Sequence, residues 1–284
     1  MNRRAAVTAA GVAVAVSAAV AGCSTTVSGA ARPSSELKAA SVDATAPITP
    51  DTPQREWVDV SGKAVPMPRE ELGGTQYSLT PLPGASVRYR AFDGGTGICT
   101  LGPAVRVGAR EGFVTAGHCA LDALGPQQLT GPDGLPAHDF GIADDAAFSY
   151  GYPNDSGYAQ DSALVWAEPG AGAAVMAGKW PVAGVLSVAE VRALPVGTPI
   201  CFAGSVTGGA ACGPLLDARD PGGIHLGRAA KTGDSGAAAF VVDTGGSAWL
   251  VGIMSSTDND RPESTAALLA PALDRLDAEV ITSS

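Results

Sequence analysis

The sequence predicts an all-β fold, and two observations carry that expectation. Short runs rich in Val, Ile, Phe and Tyr recur at near-regular spacing, and 37 Gly and 21 Pro punctuate the chain so often that long helices and coiled coils have little room. Many short strands divided by turn residues fold as a sandwich or as barrels. In order, the runs are Val87 to Arg90, Ala104 to Val107, Gly112 to Thr115 and Ala163 to Trp166. They continue with Val182 to Val188, Pro199 to Phe202, Ala239 to Val242 and Trp249 to Met254. The stretch from Pro271 to Val280 differs: Leu273, Leu276 and Val280 fall at helical spacing. A terminal helix with Pro in its first turn is expected there.

Composition narrows the function. Hydrophobic residues make up 45% of the 284 and charged ones only 16%, which excludes a disordered regulator. The formal net charge is −10, from 18 basic and 28 acidic residues. A sequence-independent grip on nucleic-acid phosphates is therefore not expected. Residues 85–284 suffice for one large or two small packed units.

The N-terminus reads as an address. Asn2-Arg3-Arg4 precedes an uncharged run of small residues from Ala5 to Gly22. A basic start, an apolar middle and a small-residue end describe an export signal over residues 1–22. Its close, Val20-Ala21-Gly22-Cys23, resembles the bacterial lipobox, which implies cleavage before Cys23 and a diacylglyceryl group on that thiol. The competing reading is a permanent membrane helix, but the run is weakly apolar and barely long enough to span a bilayer. The Arg pair suggests twin-arginine export, yet the bulky residues expected after it are missing, so the route stays open. Residues 23–84 are rich in Ser, Thr, Ala and Pro without sustained periodicity and are expected to form a tether or a cleavable pro-segment. A short strand at Trp57, Val58 and Val60 could dock on the domain.

Two motifs carry chemistry. Thr115-Ala116-Gly117-His118-Cys119 ends an apolar run, and Gly233-Asp234-Ser235-Gly236 precedes another. A serine hydroxyl needs an adjacent base to act as a nucleophile at neutral pH, and His118 is the candidate. His138 and His225 sit in Gly/Pro-flanked stretches without such a setting. Taken alone, Gly-Asp-Ser-Gly is also an ordinary turn composition.

Together the motifs resemble the histidine and serine motifs of the chymotrypsin-like serine proteases, in particular the secreted bacterial branch of the streptogrisins. The resemblance spans residues 85–280 and implies two six-stranded antiparallel β-barrels followed by the C-terminal helix. It implies no cofactor and no metal. His118 becomes the base, Ser235 the nucleophile, and the amides of Gly233 and Ser235 the oxyanion hole. The acid lies between the two motifs in chain order. Asp139 and Asp161 both precede a strand-like run; Asp161 is preferred because its run is more continuously apolar and Asp139 leaves little chain for a strand to depart from His118 and return.

The remaining cysteines fit the same resemblance, which implies Cys99–Cys119 beside the base and Cys201–Cys212 flanking a hairpin. Each closed loop contributes about 3 kcal/mol, and export favours oxidation. Zinc is the competing use of four cysteines, but none has Cys-x-x-Cys spacing. In this family Asp234 pairs with a buried cation, for which Arg228 and Arg106 are candidates. The specificity-pocket floor falls at Gly227, Arg228 or Ala229, with Ala229 the assigned position. Ser255 supports the triad acid, and Thr257, two residues along the strand, shares its face and shortens the pocket. No Asp or Glu lies between Pro221 and Thr232, so a small or medium neutral residue is expected before the scissile bond. Two features pull the other way: Asp258 or Asp260 could fold into the pocket, and Arg228 or Lys231 could favour acidic substrates.

The chain is thus expected to be a lipid-anchored extracytoplasmic serine endopeptidase. A catalytically inactive, protease-like surface binding module is the alternative. A triad esterase lacks the Gly-x-Ser-x-Gly elbow, and Asp258-Asn259-Asp260 is too short for the helical calcium loop.

Overall fold

Antiparallel pairing of the apolar runs organises the chain into three sheets. The computed structural model describes residues 55–153, 157–219, 221–258 and 260–283. The export signal, Cys23 and the segment up to residue 54 lie outside the described residues.

The first half contributes β1 (Ser86–Arg90), β2 (Thr96–Thr100), β3 (Ala104–Val107), β4 (Arg110–Thr115), the short helix α1 (Gly117–Leu121), β5 (Gln127–Thr130), β6 (Pro136–Gly141), β7 (Asp144–Pro153) and β8 (Ala159–Val165). Next come β9 (Val175–Met176), β10 (Trp180–Val185), α2 (Val188–Ala193), β11 (Pro199–Phe202), β12 (Ala211–Asp217) and β13 (Ile224–Leu226). The chain closes with β14 (Ala238–Val242), β15 (Ala248–Asp258), β16 (Glu263–Leu268), α3 (Leu269–Leu276) and β17 (Glu279–Val280).

In the second half the strands run β14-β11-β12-β13-β16-β15, and β14 also pairs with β15, so six strands close into a barrel. Strand β10 adds to β15 on the outside, in parallel. The first-half strands divide between a four-stranded sheet, β2-β1-β5-β6, and a five-stranded sheet, β17-β3-β4-β8-β7. The all-β class and the closed barrel of the second half match the expectation. Phe113, Leu129 and Leu164 are buried in one core cluster; Ile200, Phe202 and Leu226 are buried in another. Burying a side chain of this size stabilises by about 1.5–3 kcal/mol.

Three expectations need correction. The terminal helix ends at Leu276, because Asp277 adopts a left-handed conformation with φ +49°; Val280 instead lies on β17, paired with Val105 of β3. The run from Val182 stops as a strand at Val185. Ser187 then caps α2 through a reciprocal box with Glu190. Residues 55–84, part of the expected tether, include ordered stretches that bond to the sheets. Val58 donates its N–H to the Val242 carbonyl at 2.9 Å, Trp57 bridges Asp243, and Val60 is buried. Long-range main-chain bonds order this segment, although its local pattern carries no periodicity.

Both expected disulfides are present: Cys99–Cys119 and Cys201–Cys212. The first ties β2 to α1, and the second joins directly opposed residues of β11 and β12. Among the described residues no helix is long and apolar enough to cross a membrane.

Candidate active site

The histidine motif turns from β4 into α1. Its Gly117 packs so closely on the β7–β8 pair that an added Cβ would collide with the Ala147 carbonyl oxygen and lie 2.9 Å from the Ser162 nitrogen. Only glycine lets α1 seat there, and that seating delivers His118 to Asp161 on β8.

Asp161 is 2% exposed and is surrounded by donors. The His118 main-chain N–H donates to Oδ1 at 2.9 Å, while the Ser255 hydroxyl donates to Oδ2 at 2.6 Å. His118 Nδ1 lies 2.8 Å from the same Oδ2. An ionised carboxylate only accepts, so the ring proton belongs on Nδ1 and Nε2 is left as a lone-pair base. Burial opposes protonation of His118, but the hydrogen bond and charge of Asp161, with a contribution from Asp122, outweigh it and raise the imidazole pKa above its ordinary 6.5. The ring also packs at a tilt on Phe148, centroids 5.4 Å apart. Behind Asp161, the Arg275 guanidinium on α3 donates to the Ser162 carbonyl at 3.0 Å and to its hydroxyl at 2.9 Å, holding β8 in place.

Asp139 sits elsewhere. It lies on the exposed strand β6, where it accepts from Gln128 Nε2 at 2.7 Å. Ile142, expected to continue a buried run, is 66% exposed.

The serine motif wraps against the histidine motif. Gly236, at φ +91°, lies where an added Cβ would collide with Thr115 Oγ1 and sit 3.0 Å from the Ala116 nitrogen. The Ser235 carbonyl accepts from the Thr100 amide, and the Gly236 amide donates to the Met254 carbonyl, both at 2.8 Å. Within the turn, the Asp234 amide donates to the Lys231 carbonyl at 2.9 Å and the Ala237 amide to the Asp234 carbonyl at 3.0 Å. Among the described residues, the amides of Gly233 and Ser235 donate to no protein group. Hydrogen bonds thus join His118, Asp161 and Ser255; among the described residues none joins the Ser235 hydroxyl to His118.

Asp234 corrects the expectation of a cation. It is fully buried, yet among the described residues no Lys or Arg pairs with it. Its Oδ1 accepts the Val206 amide at 3.0 Å and the Thr207 amide at 2.9 Å; its Oδ2 accepts the Lys231 amide at 2.8 Å and the Thr207 hydroxyl. Arg106 pairs with Glu111 instead, and Arg228 acts on Asp59. Four hydrogen bonds replace the cation.

Beside Ser235 is a cavity of about 150 Å³ lined by Ala230, Lys231, Thr232, Ser235 and the stretch Met254 to Thr257. Ala230 lines this cavity and Ala229 does not; the Ser264 hydroxyl accepts from the Ala230 amide at 2.7 Å. Ser255 and Thr257 both line the cavity, and neither Asp258 nor Asp260 does. A larger cavity of about 330 Å³ adjoins it through Ser255 and Ser256 and reaches Asp161, Phe148, Gln160 and His225. Sequence reading passed over His225 because its only local signal is a histidine among Gly and Pro. His138 faces Phe140 on the exposed β6. The cluster Cys99–His118–Cys119 is no thiolate metal site, because its two sulfurs are joined.

No protein-family model matches the chain, and no curated protein matches it. Solved structures do. The Nocardiopsis protease NAPase matches at 20% identity and TM-score 0.48, covering 70% of this chain and 97% of its own. Protease A of Thermobifida fusca matches at 19% and 0.47, covering 71% and 98%. A glutamic acid specific serine protease matches at 19% and 0.48, covering 71% and 100%. Likenesses of this degree do not fix a family.

Proposed function

We propose that the chain is a chymotrypsin-like serine endopeptidase that cleaves protein or peptide substrates. The Asp161 carboxylate is the observation that supports this reading: it accepts from both His118 Nδ1 and Ser255 and leaves Nε2 as a lone-pair base. In this reading Ser235 Oγ attacks the scissile carbonyl and His118 Nε2 takes its proton. The free amides of Gly233 and Ser235 stabilise the oxyanion. The protonated imidazole, held by Asp161, gives its proton to the leaving amine, and water then releases the acyl group by the same route. The Ser235–His118 hydrogen bond forms as substrate closes the site; such bonds are often long before substrate binds.

The cavity beside Ser235 receives the residue before the scissile bond. Among its lining residues the only charged side chain is Lys231, so Arg and Lys are rejected. Its volume of about 150 Å³ is small, and Thr257 on its wall shortens it. Ala, Val and Leu therefore fit best. The adjoining cavity takes residues further toward the substrate's N-terminus. Export to an oxidising compartment accords with the two disulfides, and a lipid on Cys23 holds the protein at the extracytoplasmic face of the membrane.

The missing Ser235–His118 bond favours a second reading, an inactive binding module. A peptide-library digest separates the two. Cleavage after small neutral residues, abolished in Ser235→Ala, supports the protease. Peptide binding without cleavage supports the module, and dominant cleavage after Arg or Lys overturns the pocket argument.

A further inference from the structure

We propose that a hairpin in the N-terminal segment, residues 68–77, is a built-in positioning element for the oxyanion turn, acting through Arg69 and Gln76. The inference rests on the protease reading and extends it to a part of the chain outside the barrels.

The hairpin closes through Glu70 to Thr75 and Tyr77 to Pro68, main-chain bonds of 2.9 Å each. Buried Glu70 locks its turn, accepting from the Thr75 hydroxyl at 2.5 Å and pairing with Arg88 at 2.7 Å. One edge grips the loop between Cys201 and Cys212. The Gln76 main-chain N–H donates to the Ser205 carbonyl at 2.7 Å, and its side-chain Oε1 accepts the Gly209 amide at 3.0 Å. The Arg69 guanidinium donates to the Val206 carbonyl at 3.3 Å and to the Thr207 carbonyl at 2.9 Å.

Two peptide planes link this grip to the site. The Ser205 carbonyl and the Val206 amide belong to one plane, the Val206 carbonyl and the Thr207 amide to the next. In a trans peptide, C=O and N–H point in opposite directions. The hairpin holds both planes by their oxygens, and their N–H groups consequently face Asp234 Oδ1. Asp234 is buried without a cation, so these amides are half of what satisfies its charge. It also lies between the two oxyanion amides. If the loop turned, Asp234 would lose its partners and carry Gly233 and Ser235 with it. Arg69 and Gln76 are thus positioning residues. On this account residues 68–77 are retained in the working enzyme, unlike a removable pro-segment.

The test compares Arg69→Ala, Arg69→Lys and Gln76→Ala with Arg55→Ala, a control that removes a charge from the same segment where it stacks on Trp249. Arg69→Ala is expected to lower kcat by about 10- to 100-fold, less than loss of a whole oxyanion donor. KM should change less than kcat, and the acid limb set by His118 should not move. Arg69→Lys should recover part of the rate, and Arg55→Ala should match wild type. Amide hydrogen exchange gives a readout independent of activity: Val206 and Thr207 should exchange faster in Arg69→Ala while the barrel core does not, and Gln76→Ala, which keeps the main-chain bond to Ser205 and loses only the one to Gly209, should have the smaller effect. Unchanged exchange and unchanged kcat in Arg69→Ala would overturn the inference, as would a rate loss that only tracks unfolding. A wild-type chain that neither cleaves peptides nor reacts at Ser235 defeats the protease reading instead, and exchange alone then decides whether the hairpin orders the loop.

Discussion

Replacing Asp161 with Asn exchanges one carboxylate oxygen for an NH2 and should nearly abolish turnover. The His118 main-chain N–H, 2.9 Å from Oδ1, cannot rotate, so the introduced side-chain amide must present its oxygen there. Its NH2 then faces His118 Nδ1 and the Ser255 hydroxyl. Nδ1 becomes an acceptor, the ring proton moves to Nε2, and the lone-pair base is gone. Loss of the carboxylate charge removes a Coulomb term of about 6 kcal/mol for an imidazolium at 2.8 Å and an effective dielectric of 20. That is close to the roughly 10⁴-fold loss in kcat for this change in the general triad template, about 5.5 kcal/mol at 1.36 per decade. The assay is kcat on an extended peptide with a small neutral residue before the cleaved bond, with the unfolding midpoint measured alongside. The pH profile is a second check. His118 is raised above 6.5 chiefly by Asp161 working against burial, so wild-type activity should fall as pH drops through a value above 6.5. Residual activity of the variant should have its acid limb at lower pH. Stability linked to the raised pKa is complete below the unfolded value and is lost as pH rises through the folded one; the variant should lack that dependence. Asp139→Asn, altering an exposed pair with Gln128, should leave kcat near wild type. A loss below tenfold in Asp161→Asn, or an equal loss in Asp139→Asn, would refute this reasoning.

The remaining predictions concern the pocket and the anchor. Thr257→Gly should admit larger neutral residues, because Thr257 lines the cavity beside Ser235; an unchanged library profile would remove Thr257 from the specificity argument. Cys23→Ser should move the protein out of the detergent-rich phase, and identical partitioning of variant and wild type would end the lipobox reading.

What could be read from sequence was local. Strands β1, β3, β4, β11, β14 and β15 announce themselves as β-branched or aromatic runs between turn residues, and most of their apolar side chains are buried. Strand β6 does not, since nearly every residue on it is exposed; β13 is only three residues long. The pairing of His118 with Asp161 was legible because chain order and a buried run after Asp161 coincide. The hairpin of residues 68–77 was not. Its order comes from Arg69 and Gln76 bonding a loop far along the chain, which no local periodicity encodes. Asp234 misled for a related reason: a buried carboxylate suggests a cation, but main-chain amides satisfy it equally well and carry no residue signature. The contact of Ala230 with Ser264 likewise crosses between distant segments and carries no local signal.

The central claim is that Ser235 is a nucleophile activated by His118, and covalent labelling tests it most directly. Folded protein with both disulfides intact would be treated with a fluorophosphonate, and the adduct located by peptide mass mapping. The account predicts one adduct per chain, on Ser235, lost in His118→Ala. No adduct, or one on another residue, would contradict it.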